Sequence, residues 1–103
     1  MSVLKEDYLT SLDLLAGWDP EWDSGAIKIN RVLCMPRVNL LQLIEDNIIS
    51  KASIYEVVRK LQDDRVILPV RMTSKMIEGK KVNIQAHEVL PARAAIVRAS
   101  YSD

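Results

Sequence analysis

A chain of 103 residues, 49% hydrophobic and 27% charged, has the length of one domain and enough apolar side chains to bury a core, which excludes a disordered polymer. No stretch reaches the ~20 apolar residues of a membrane helix, the opening residues around Lys5, Glu6 and Asp7 lack a leader pattern, and Cys34 is the single cysteine, so a cytoplasmic domain with no disulfide and no membrane partner is expected. The net charge of zero excludes a uniformly basic protein, yet residues 1–46 hold eight acids and four bases (net −4) while residues 47–103 hold six acids and ten bases (net +4), so the acidic N-terminal half suits a protein partner and the basic half suits phosphate.

Leu4, Tyr8, Leu12 and Leu15 recur at spacings of four, four and three, which predicts a helix over about residues 3–16 that stops at Gly17. The acidic aromatic loop WDPEWD follows. Asp23 or Ser24 is positioned to cap a second helix running to about Met35, with Ile29, Val32 and Leu33 inward and Pro36 at its end. The isoleucines and valines there suit a strand equally well. Arg37 and Val38 read as a very short strand, and Asn39 as the cap of a third helix with Leu40, Leu43 and Ile44 inward. Ile48 and Ile49 are expected to anchor the next turn to the core. Ser50 then caps a fourth helix over about Lys51–Asp64, whose buried face is Ile54, Val57, Val58 and Leu61.

Beyond this point the period changes from helical to alternating. Val66, Ile67, Leu68, Val70 and Met72 form one β-rich run, and Val82, Ile84 and Ala86 form another. Ile77-Glu78-Gly79-Lys80 lies between them, with Gly79 as the turn residue, so a β-hairpin is predicted. Pro91 opens a last helix through Ala95, Ile96, Val97 and Ala99.

The stretch NLLQLIEDNIISKASIYEVVRKLQDDRVI, residues 39–67, carries a buried leucine, a turn ending in a small residue, and a helix beginning Ser-x-x-Ser-hydrophobic. Leu43, Ile49, Ser50, Ser53, Ile54, Val58, Leu61 and Ile67 occupy those positions. This stretch resembles the core of winged helix-turn-helix regulators, notably the multiple-antibiotic-resistance-regulator group. It departs from them at the reversal Asp63-Asp64-Arg65, where glycine is usual, and in its shorter length.

The resemblance implies a mainly α protein with a small β-hairpin wing: an α+β, winged helix-turn-helix fold. It implies one domain over residues 1–103 that binds duplex DNA sequence-specifically as a homodimer and regulates transcription. The terminal helices, about 3–16 and 91–100, are the surplus apolar elements expected to pair across a two-fold axis. A recognition helix shows polar groups at its N-terminal end. Ser50, Lys51, Ser53, Tyr55, Glu56, Arg59 and Lys60 fit that role, with Asn39 at the preceding helix start. Arg71, Lys75, Lys80 and Lys81 are the wing cations expected on phosphate or in the minor groove. The alternatives are a winged-helix module that binds protein, and a plasmid or phage partition or replication accessory protein.

No metal site is expected, because His87 is the lone histidine and no ligand cluster accompanies it. No cofactor is expected either, since three glycines make no phosphate-cradling loop. Cys34 in its apolar run reads as a structural thiol, although a Cys34–His87 pair is not eliminated by sequence. An enzyme is not expected. Trp18 and Trp22 read as residues packing a loop, with a partner hot spot as the alternative.

Overall fold

A computed structural model describes residues 5–101. It is a mixed α+β fold of four α-helices and a curled four-stranded antiparallel sheet. Helix α1 spans Lys5–Ala16 and buries Tyr8, Leu12 and Leu15 as the spacing predicts. Val3 and Leu4, the start of the predicted helix, lie outside the described residues.

The predicted second helix is instead a hairpin. Strand β1 (Ile27–Ile29) pairs with β2 (Val32–Pro36), with Ile27 opposite Cys34 and Ile29 opposite Val32. Its two-residue turn holds Asn30 at φ 51° and Arg31 at φ 69°. Left-handed residues at both central positions match the right-handed twist of the flanking strands. The β-branched content of Ile27, Ile29 and Val32 prevails over the helical spacing. Pro36 ends β2 and stands before α2 (Arg37–Asn47), so Arg37 and Val38 open a helix and are not strand. Asn39 is the third residue of that helix, not its cap. It lies beside Gly25, where a Cβ would come within 2.7 Å of its Nδ2.

Leu40 and Ile44 are the buried residues of α2. The next turn buries Ile48 but leaves Ile49 77% exposed, so only the first of that pair anchors. A 3-10 turn over Lys51–Ser53 precedes α3 (Ile54–Asp63), which buries Val57, Val58 and Leu61 and half-buries Ile54. Neither Ser50 nor Ser53 makes a side-chain cap. The cap comes from another element: the Asp7 carboxylate on α1 accepts the Ile49 amide at 2.9 Å and the Ser50 amide at 3.1 Å.

After α3 the chain reverses through Arg65 at φ 61°. Val66 N–H donates to the Leu61 carbonyl at 2.9 Å, and Arg65 N–H to that of Gln62 at 3.0 Å. This is a Schellman motif with arginine in the left-handed position that glycine normally takes. An L-side chain there costs about 1 kcal/mol. Arg65→Gly is therefore expected to raise stability by roughly 0.5–1 kcal/mol in urea unfolding. No gain would mean that the aliphatic stem of Arg65 packs enough to offset its strain.

Val66 and Ile67 are fully buried but precede the strand, making only an Ile67–Val89 bridge. Strand β3 is Arg71–Ile77 and pairs with β4 (Lys80–His87) from Arg71–Ala86 to Ile77–Lys80. The arms thus run further toward the tip than the apolar run suggested. Glu78 (φ 52°) and Gly79 (φ 80°) form the two-residue turn. Strand β4 also pairs with β2, through Met35–His87 and Pro36–Ala86, giving the order β1-β2-β4-β3.

Helix α4 (Pro91–Ser100) starts with proline in its first turn and buries Ala94 and Val97. It packs on α1, where Arg98 meets Asp13 at 3.1 Å and the Tyr8 and Tyr101 rings stand edge to face at 5.9 Å. The terminal helices are therefore part of the chain's own core. Their buried stripes join Leu40, Ile44, Val57, Leu61 and Val89 in one cluster and are not spare surface. Among the described residues, no helix is long and apolar enough to cross a membrane.

Candidate functional site

Two surfaces collect the residues singled out from sequence: the outer face of α3 and the β3–β4 hairpin. On α3, the arc opposite Val57, Val58 and Leu61 carries Tyr55, which is 69% exposed, with Glu56 and Arg59 also exposed. Gln62 and Asp63 continue that arc. Arg59 thus lies between two acids, Glu56 three residues before it and Asp63 four after, both its neighbours on a helix surface. Ser53 is half-buried, its hydroxyl donating to that of Ser50 at 3.4 Å. Asn39 is exposed near the start of α2, beside the Gly25 loop.

Three of the expected phosphate contacts are already engaged. Lys51 Nζ donates to the carbonyls of Glu45 and Ile48, closing the C-terminal end of α2. These are the orphan carbonyls that a helix end leaves, and a cation suits them. Lys60 Nζ lies 4.6 Å from the Tyr8 ring centroid and 5.5 Å from that of Tyr101. That places it on the α1 and α4 side, away from Tyr55 and Arg59. Arg71 stands at the base of the hairpin, opposite Ala86, and pairs with Glu88 at 3.6 Å.

The hairpin register divides the remaining lysines. Lys75 shares a face with Val82, Thr73 and Ile84, and Lys80 with Ile77 on that same face. Lys81 faces the other way, beside Met76. Among the described residues, Arg59, Lys75, Lys80 and Lys81 make no ion pair.

The face of the hairpin with Met72 and Gln85 turns toward the start of α2. There Arg37, Val38, Leu41, Met72 and Gln85 line an open groove of about 420 Å³. Met72 and Val38 are 60% and 72% exposed. Arg37 is held by His87, with Arg37 Nη1 donating to His87 Nε2 at 2.8 Å while Nδ1 lies 2.8 Å from the Leu68 carbonyl. A carbonyl only accepts and a guanidinium only donates, so the ring is neutral with its proton on Nδ1. Burial pushes the His87 pKa down, the Arg37 charge adds to this, and the Leu68 carbonyl opposes it.

Sequence reasoning missed both Asp7 and this Arg37–His87 contact. Asp7 was legible: with Ser11 four residues later it falls at the edge of the stripe of Tyr8, Leu12 and Leu15. A carboxylate there requires buried donors. The contact between Arg37 and His87 joins residues fifty apart and left no local signal.

Cys34 and His87 do not meet. They alternate to opposite faces of the sheet, Cys34 packing with Ile29 and Ala86 while His87 pairs beside Met35. Burial pushes the Cys34 thiol up, and its Sγ lies 3.6 Å from the Val32 carbonyl. Among the described residues, no group of three or more His, Cys, Asp or Glu could hold a metal ion. Trp18 packs against the core and donates to Asp23 at 2.9 Å, whereas Trp22 is 87% exposed.

No protein-family model matches the chain, and neither the curated proteins nor the solved structures give a significant match.

Proposed function

We propose that the chain is a winged helix-turn-helix protein that binds duplex DNA sequence-specifically, as a homodimer, and regulates transcription. One observation carries the reading. Apart from β1 and α4, the chain order α1, β2, α2, α3, β3, β4, with β2 against β4 and a lysine-tipped hairpin after α3, resembles the connectivity of winged helix domains and supports the reading. In that arrangement α3 enters the major groove and the hairpin meets the backbone beside it. The exposed arc of Tyr55 and Arg59 reads base edges, and Lys75, Lys80 and Lys81 neutralise phosphates. Ser53 carries less of the recognition, because its hydroxyl turns toward Ser50.

The test is a comparison of Tyr55→Ala and Arg59→Ala on a site selected from random duplex and on scrambled duplex. Each variant is expected to lose on the order of 1–3 kcal/mol on the selected site and little on the scrambled one. Lys80→Ala with Lys81→Ala is expected to weaken all duplexes alike and to flatten the salt slope by about one to two. Equal losses on both duplexes would reduce Tyr55 and Arg59 to phosphate anchors.

A second reading, a winged-helix module that binds protein, draws on two observations. Glu56 and Asp63 interleave with Arg59, and the groove between α2 and the hairpin exposes Val38 and Met72. Wild-type protein that binds no duplex at low salt would favour it.

A further inference from the structure

The hairpin leaves β3 at the edge of the sheet. Its turn has two residues, so Ile77 and Lys80 are a hydrogen-bonded pair, and the alternation of an antiparallel ladder assigns Lys75, Thr73 and Arg71 to bonds with β4. The amides and carbonyls of Met72, Ser74 and Met76 then point away from the sheet. Among the described residues, none of these groups has a backbone partner. Natural edges are usually blunted by proline, bulges, shortness or charged side chains, lysine above all. This strand has seven residues in continuous register with no proline. Its one lysine, Lys75, is the only charge between Arg71 and the turn residue Glu78.

The sequence around Ser74 reads Met-Thr-Ser-Lys-Met and is nearly palindromic in pattern. We propose that β3 pairs antiparallel with β3 of a second copy of this chain, about a two-fold axis through Ser74. Ser74 then faces Ser74 of the second copy, and Met72 faces Met76 in both directions. These are the residues whose backbone groups point outward, so three amides and three carbonyls on each strand are satisfied together. Centring the axis on Met72 or Met76 instead would strand part of them. On one face of the joined ribbon Met72 and Met76, 60% and 69% exposed in the single chain, cover each other. On the other, Arg71 meets Ile77 and Thr73 meets Lys75, so no like charges stand directly opposite. A second copy is the occupant because the pattern complements itself, which a foreign strand does not require. The same axis gathers Lys75 and Lys80 of both copies on one face. The interface rests on the dimer of the proposed function and is independent of whether that dimer binds DNA.

Sedimentation equilibrium of the full chain without DNA tests it. The wild type is expected to be a dimer, and Ser74→Pro a monomer. Proline at position 74 takes no backbone bond from the β3–β4 ladder, giving up there only the exposed bond that the Ser74 hydroxyl donates to Asn83 Oδ1 at 2.9 Å, and it removes the outward donor from both copies. Loss of those two bonds and the ring's obstruction are expected to weaken association about a hundredfold. A second variant, Met72→Lys with Met76→Lys, leaves the backbone intact, sets like charges opposite each other twice, and decides the matter if Ser74→Pro fails to fold. Circular dichroism and thermal melts report folding. A dimer that withstands the folded variants overturns this interface and leaves the dimer itself standing. A wild type that is monomeric at roughly 100 µM overturns both, and duplex binding is scored separately.

Discussion

Asp7→Ala is expected to destabilise the protein by about 3 kcal/mol, a drop in Tm on the order of 10–20 °C for a domain of this length. The Asp7 side chain is 1% exposed and lies on α1, yet its two oxygens accept the Ile49 and Ser50 amides at the start of the 3-10 turn. Removing the carboxylate leaves two backbone donors without a partner in a partly buried turn. Such groups cost their desolvation, not merely the net worth of a bond. Asp7→Asn keeps one acceptor oxygen and is expected to lose roughly half as much. The turn also sets the direction in which α3 leaves α2. If α3 reads DNA as proposed, Asp7→Asn should weaken the selected site more than its loss of stability accounts for. Urea unfolding gives the first quantity and duplex titration of the folded fraction the second. An Asp7→Ala protein with wild-type stability would show that water replaces the carboxylate at no cost.

Replacing His87 with alanine is expected to cost about 2–3 kcal/mol at neutral pH, because the ring is fully buried and bridges Arg37 to the Leu68 carbonyl. The same contact makes stability depend on pH. Burial and Arg37 lower the His87 pKa from its ordinary value near 6.5. Above that value both folded and unfolded chains hold a neutral ring, and the full contribution is present. As pH falls below it, the unfolded chain takes up a proton that the folded chain resists, so stability declines until the folded pKa is reached. A protonated Nε2 would also face the Arg37 guanidinium as donor against donor. The chain has one histidine, so the slope between about pH 7 and pH 5 belongs largely to this residue. Urea midpoints are expected to fall over that interval for the wild type and to stay nearly flat for His87→Ala. A wild-type slope of the opposite sign would mean that His87 gains a proton on folding.

Residues 39–67 were the most legible part of the chain, because their inward positions repeat at helical spacing and the burial of Leu40, Ile44, Val57, Val58 and Leu61 needs only local geometry. The second hairpin was legible for the same kind of reason: alternation in β4 and a glycine at the turn. The first hairpin was not. Ile27, Ile29, Val32 and Leu33 satisfy helical and strand spacing alike, and the turn uses Asn30 and Arg31, where only the asparagine favours a left-handed φ.

The candidate surface divides in the same way. Tyr55, Glu56 and Arg59 were assigned to the outer face of α3 by period alone, and the structure leaves them exposed. Lys51, Lys60 and Arg71 carry the same charge in sequence, but their ends are held by carbonyls, tyrosine rings and Glu88. A side chain's partner lies in three-dimensional space, and a residue's type does not name it. Alone, the sequence determined which positions face inward along each helix and along β4, because burial follows the backbone period. Only the tertiary structure decided which cations are engaged by other described residues and which carboxylate caps the turn. It alone placed β3 at an open edge, since each of these depends on residues far apart in the chain.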